Sequence, residues 1–129
     1  MLSLRFKWFW ISGGVGLVAG VVLGVLAPAS ELPPLGFSDF TEHAIAYTVL
    51  MVWFAALYAR ARWLPAAAAL FLLGIALEGL QAAMALGRTA DPTDVAANSL
   101  GIALGLALAR AGLGGWMQWV EARIPRPDA

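Results

Sequence analysis

The sequence predicts an all-α, polytopic membrane protein: four transmembrane helices in one domain over residues 1–129, with both termini in the cytoplasm. Three observations predict it. The chain is 61% hydrophobic and 12% charged, with a mean hydropathy of +0.80, whereas a soluble domain is about half apolar and about a quarter charged. A water-soluble globule of 129 residues could not hide that much apolar surface, and a disordered chain would not carry it. Apolar stretches long enough to cross ~30 Å of hydrocarbon recur along the chain. The cations, finally, gather on alternate connections.

The first helix is expected over residues 8–27, which hold no charge. Arg5, Lys7 and the Ala27-Pro28-Ala29 step resemble the flanks of a cleaved signal peptide. The apolar run, however, exceeds the ~7–15 residues of such a core, which favours a retained span. Pro28, Pro33, Pro34 and Gly36 mark a loop. The second helix is expected over 39–59, where Asp39 and Glu42 have the spacing of a capping box. Arg60-Ala61-Arg62 makes a tight turn into the third, over 63–86, which contains a single acid, Glu78. Gly87 breaks the chain, Asp91 offers a cap, and Pro92 suits the first position of a fourth helix over 92–109. In the tail, 110–129, Trp116 and Trp119 suggest an interfacial segment that Pro125 and Pro127 end. Phe6, Trp8, Phe9 and Trp10 read as an interfacial belt.

Composition narrows the chemistry. There is no cysteine, so disulfides, thiolate nucleophiles and cysteine zinc sites are excluded. The single histidine excludes an all-histidine metal site, and no metal or cofactor is expected. Eight basic and eight acidic residues cancel, which gives no reason to expect nucleic acid. Their distribution is informative. With four crossings, Arg5, Lys7, Arg60, Arg62, Arg110, Arg123 and Arg126 fall on one side, the expected cytoplasmic one. The other side has Glu31, Asp39, Glu42, Asp91 and Asp94, with Arg88 as its one cation.

Polar residues cluster near that outer side. Asp39, His43 and Tyr47 are spaced by four, on one helical stripe. Glu78 and Gln81 share a face of the third helix, and Asp94 and Asn98 a face of the fourth. Glu78 should lie roughly 12 Å and Asn98 roughly 9 Å below the outer ends of their helices. Tyr47, Glu78 and Asn98 therefore sit at similar depth on three helices. An ionisable group at mid-bilayer costs about 2.5–3.5 kcal/mol on insertion scales, so such groups turn inward and find partners. Glu78 is expected either to pair with Arg88 or to hold its proton. Further along, Gly101 and Gly105 give a G-x-x-x-G spacing that favours close helix approach.

These residues resemble the VanZ-like family of small bacterial membrane proteins. Asp39-Phe-Thr-Glu-His43-Ala-Ile-Ala-Tyr47 is similar to that family's D-K-x-x-H-x-x-x-Y segment, and Glu78-x-x-Gln81, Arg88, Asp94, Asn98, Gly101 and Gly105 follow its E-x-x-Q…R…D-x-x-x-N-x-x-G-x-x-x-G pattern. Phe40 stands where the family usually has lysine, which removes a cation beside Asp39. The resemblance implies a multi-pass protein of the bacterial inner membrane and a link to susceptibility to teicoplanin, a glycopeptide antibiotic. It does not supply a reaction.

Three functions are open to such a chain. In one, an outward-facing polar site at Asp39, His43, Tyr47, Glu78, Gln81, Arg88, Asp94 and Asn98 binds or handles an amphiphile, a membrane lipid or lipid-linked envelope intermediate. In this reading Arg88 holds an anionic headgroup. In another, an intramembrane enzyme, His43, Glu78 and Asp94 perform acid–base chemistry on envelope lipids or bind one divalent cation through oxygen-rich ligands, although no catalytic signature or activated nucleophile accompanies them. In the last, the bundle is a structural subunit of a larger complex. A channel is disfavoured because the inner halves of the segments hold almost no polar side chains.

Overall fold

The computed structural model of the chain describes residues 2–27, 36–84 and 91–125. Every regular element among them is helical: α1 (Lys7–Leu26), α2 (Asp39–Leu57), α3 (Trp63–Met84), α4 (Pro92–Arg110) and a short α5 (Trp116–Glu121), with 3-10 turns at Arg60–Arg62 and Leu113–Gly115. The four long helices are each long and apolar enough to cross a membrane. Pro28, Pro33 and Pro34 of the expected loop, the last residues of the third helix, Gly87 and Arg88 lie outside the described residues, while Gly36 is described, with φ +79°.

The helix ends have local causes. Ser38 caps α2, its Oγ accepting from the Thr41 amide at 3.3 Å. The cap thus falls one residue earlier than the Asp39–Glu42 pairing suggests. Both acids sit instead in the first turn, where their charge complements the helix dipole. Asp91 caps α4 as expected, its Oδ1 accepting from the Thr93 amide at 2.8 Å, and Pro92 takes the first helical position. That bond lowers the Asp91 carboxyl below its ordinary range, outweighing a small upward push from desolvation.

α2 is the centre of the bundle, and α4 is the helix packed most closely on it. The two run in the same direction. Small residues permit the approach. A Cβ at Gly101 would run into the Ala44 carbonyl of α2, and one at Gly105 would stand 2.5 Å from the Met51 Cβ. Thr48 ties the pair, its hydroxyl donating to the Ala44 carbonyl at 2.7 Å and across to the Gly101 carbonyl at 3.1 Å. Between lipid-immersed helices this close packing and such bonds supply the attraction, because hydrocarbon provides no hydrophobic drive. The core is Tyr47, Leu50, Met51, Ala55, Trp63, Ala67, Leu70, Ile102 and Ala109.

α1 is peripheral and buries only Trp10, Gly14 and Val25. Its first turn departs from the expected aromatic belt. Trp8 and Phe9 are exposed, but Trp10 is only 6% exposed and packs edge-on against Trp53 and Trp116, at centroid distances of 5.9 and 5.2 Å. The tail is docked rather than merely interfacial: Met117 is fully buried among Leu4, Ala56 and Leu57. Glu121 binds the start of the chain, accepting from the Arg5 and Phe6 amides at 2.7 and 2.8 Å and from the Trp10 indole at 2.8 Å. Both ends of the described chain therefore lie at one end of the bundle, together with Arg60 and Arg110.

Candidate functional site

The opposite end holds the polar residues. Three helices contribute: α2 brings Asp39, His43 and Tyr47, α3 brings Glu78, and α4 brings Asp94 and Asn98. His43, Tyr47, Glu78, Asp94 and Asn98 are all buried, while Asp39 is exposed. The cluster thus runs from the surface into the bundle.

His43 is its hub. Its Nδ1 lies 3.1 Å from Asn98 Oδ1 and 4.0 Å from Glu78 Oε1. Facing the amide oxygen, Nδ1 is the donor in the neutral ring, which leaves the Nε2 lone pair for another partner. In the protonated ring both nitrogens donate, and Glu78 is the nearby counter-charge. The parallel packing of α2 and α4 produces this geometry, because the glycines at 101 and 105 let the two backbones close and set Asn98 level with His43.

Tyr47 lies one turn deeper. Its hydroxyl is buried and has no hydrogen-bond partner among the described residues. Gly74, one turn from Glu78 on α3, makes room for it. A Cβ there would stand 2.8 Å from Asn98 Nδ2 and 3.1 Å from the Tyr47 hydroxyl. Gly74 was not singled out by sequence reasoning. Its signal is a glycine four residues before the buried acid, on the same stripe.

The remaining expected residues divide. Gln81 is buried but turned to α1, its Nε2 donating to the Val25 carbonyl at 2.6 Å. Part of its amide thus fixes α1 against α3. Arg88 lies outside the described residues, and with it the expected Glu78–Arg88 pair. Thr48 is a polar residue of this region that the spacing argument missed; it serves the α2–α4 seam.

Asp39, Glu78 and Asp94 around one histidine make an acid-rich site. It suits hydrogen-bond donors and cations, and can shuttle a proton through His43. Asp39, His43 and Asp94 can each place a ligand atom within 4.8 Å of the others, a spacing that could hold a divalent cation.

The family model described as VanZ/LLP1 matches residues 38–114. That stretch begins at the cap of α2, contains every residue of the site and ends before α5. No curated protein and no solved structure matches the chain.

Proposed function

The chain belongs to the VanZ-like family, whose model covers more than half of it, and from that premise we propose that it binds or handles the polar head of an amphiphilic envelope ligand in the bacterial inner membrane. The ligand class is a membrane lipid or a lipid-linked envelope intermediate. The cation-rich end, which carries both chain ends, faces the cytoplasm by the positive-inside rule, and the polar site faces out. The coarser reading, a multi-pass VanZ-like membrane protein, rests on the family match and on the four apolar helices.

The observation that carries the proposal is the buried meeting of His43, Glu78, Asp94 and Asn98 from three helices. Polar groups at this depth are expensive to insert. A set this large, open to the surface at Asp39 and with the Tyr47 hydroxyl in reserve, exceeds what helix adhesion needs. Its acceptor-rich character matches a head bearing hydroxyl or ammonium donors. An anionic head requires a counter-cation, which Arg88 supplies in sequence. Handling of such amphiphiles is the route by which the chain would alter susceptibility to teicoplanin, itself a lipid-bearing glycopeptide.

The test is a deletion strain complemented with wild type, Glu78→Gln, Asn98→Ala and Arg88→Ala. Teicoplanin susceptibility and envelope stress are scored against membrane abundance. Variants present at normal levels should fail to restore the wild-type response. Full complementation by all three would overturn the proposal and leave the structural-subunit reading. The acid–base alternative draws on the His43–Glu78 proximity of 4.0 Å. Turnover of envelope lipids by purified protein, lost in Glu78→Gln, would establish it.

A further inference from the structure

A second feature lies at the far end of the bundle, independent of the polar site. The turn after α2 and the turn after α4 frame an open cavity of about 460 Å³, lined in part by Arg60, Trp63, Arg110, Gly112 and Gly114. This size falls in the roughly 300–1,000 Å³ range of small-ligand sites. Its wall needs its glycines. Gly112 has φ +124°, which L side chains avoid, and a Cβ on Gly114 would stand 2.6 Å from the Trp63 ring. The chain therefore turns sharply and closely here, leaving the space open.

The lining is cationic. Arg60 and Arg110 are exposed, and neither guanidinium makes an ion pair or hydrogen bond among the described residues. Arg60 is held over the Trp63 ring, 5.3 Å from its centroid, which orients it without neutralising it. Among the described residues no acidic side chain lines the cavity. The nearest acid in sequence to its α5 side, Glu121, is already engaged by Arg5, Phe6 and Trp10.

Position names the anion. Arg60 lies between α2 and α3 and Arg110 ends α4, so with these helices crossing a membrane the cavity would open at the level of the bilayer phosphates. Guanidinium recognises phosphate through paired donors, and basic pockets between spans take anionic headgroups. Leu64, Leu108 and Leu113, next along the chain from these cations, are exposed apolar surface for the acyl chains. We propose that this cavity binds the phosphate head of an anionic phospholipid, with Arg60 and Arg110 as its ligands.

The experiment uses the purified full chain in neutral detergent, with lipid retention read by native mass spectrometry and melting temperature read in parallel. Phosphatidylglycerol should stay bound and raise the melting temperature, while phosphatidylcholine and inorganic phosphate should not. Arg60→Gln/Arg110→Gln should retain phosphatidylglycerol at least tenfold less, and Arg62→Gln, which does not line the cavity, should retain it as wild type does. If the double variant loses helicity, the two single variants carry the comparison. Equal retention of both lipids, or of phosphatidylglycerol by wild type and Arg variants, would overturn the proposal. Displacement by inorganic phosphate would replace the lipid with a free anion and overturn it too. Retention lost in the Arg60 and Arg110 variants but kept in Arg62→Gln is assigned to this cavity whatever the polar site binds, and complementation of the deletion strain reads the polar site, so failure here and failure there are distinguishable.

Discussion

Tyr47 shows most directly how a single group can separate binding from packing. Its ring fills the core beside Leu50 and Met51, while its hydroxyl is buried without a hydrogen-bond partner among the described residues. A buried polar group left unsatisfied costs about 1–3 kcal/mol. Tyr47→Phe keeps the ring and removes that cost. The variant should therefore be at least as stable as wild type, by up to that amount, in a thermal melt of detergent-solubilised protein. If the hydroxyl meets ligand, the same variant should lose complementation of the deletion strain. A stability gain coupled to a functional loss is an outcome that a purely structural tyrosine cannot produce. Gly74→Ala should act oppositely. Its Cβ would stand 2.8 Å from the Asn98 amide nitrogen, so Asn98 must shift from His43 or the helices must part. The cost expected from overpacking is about 1–3 kcal/mol.

Helix pairing explains why those side chains meet at all. α4 lies against α2 because Gly101 and Gly105 present no side chain to the Ala44 and Thr48 carbonyls. Gly101→Ala would place a Cβ against backbone that cannot rotate away, and about 1–3 kcal/mol of destabilisation is expected, read as a lower melting temperature and lower membrane abundance. Gly16→Ala, on a stretch of α1 with open space around it, should be neutral or stabilising by up to about 1 kcal/mol. Equal effects at the two positions would contradict the role given to the seam. The glycine spacing, the common level of Tyr47, Glu78 and Asn98 on three helices, and the Asp91–Pro92 start of α4 were all legible, because each follows from helical rise, period or cap chemistry. The parallel α2–α4 pairing was not. Short connections point to antiparallel neighbours along the chain, and nothing in one sequence says which non-adjacent helices touch. For the same reason the face Gln81 shares with Glu78 suggests a place in the polar site, although its Nε2 donates to the Val25 carbonyl on α1. Trp10 looked like a belt residue because an indole near a helix start is common at interfaces. Its burial depends on Trp53 and Trp116, which are distant in sequence.

The Glu121 carboxylate joins the two ends of the described chain, beside the Arg5 guanidinium, which donates to the Ile124 and Pro125 carbonyls at 3.3 and 3.2 Å. α1 starts at Lys7 with no side-chain cap of its own. Glu121 supplies that service from the last helix, taking hydrogen bonds from the Arg5 and Phe6 amides and from the Trp10 indole. The clamp closes the cation-rich end and seats α5 beside the packing of Met117 and the indole cluster. Partial burial pushes the Glu121 carboxyl up, but the Phe6 and Arg5 amides, the Trp10 indole and the Arg5 charge together outweigh it and leave it below its ordinary range. The sign follows from linkage. A carboxyl depressed in the folded state contributes stability that is complete above its unfolded value and disappears as pH falls through the folded one. The ordinary value is about 4.3, so the contribution should be flat at neutral pH and lost only below that value. Asp91, also depressed, titrates in the same direction, so wild type alone cannot assign the loss. The comparison with Glu121→Gln can. At neutral pH that variant should be less stable by about 1 kcal/mol, since solvent screens part of a clamp at the bundle's edge. On acidification below ~4 the gap should narrow, because the wild-type carboxyl then loses its charge and is neutral like the variant's amide. Melting curves that stay parallel down to strongly acidic pH would show that the ends are held without the Glu121 carboxylate, by the indoles, Met117 and the Arg5 bonds to the Ile124 and Pro125 carbonyls.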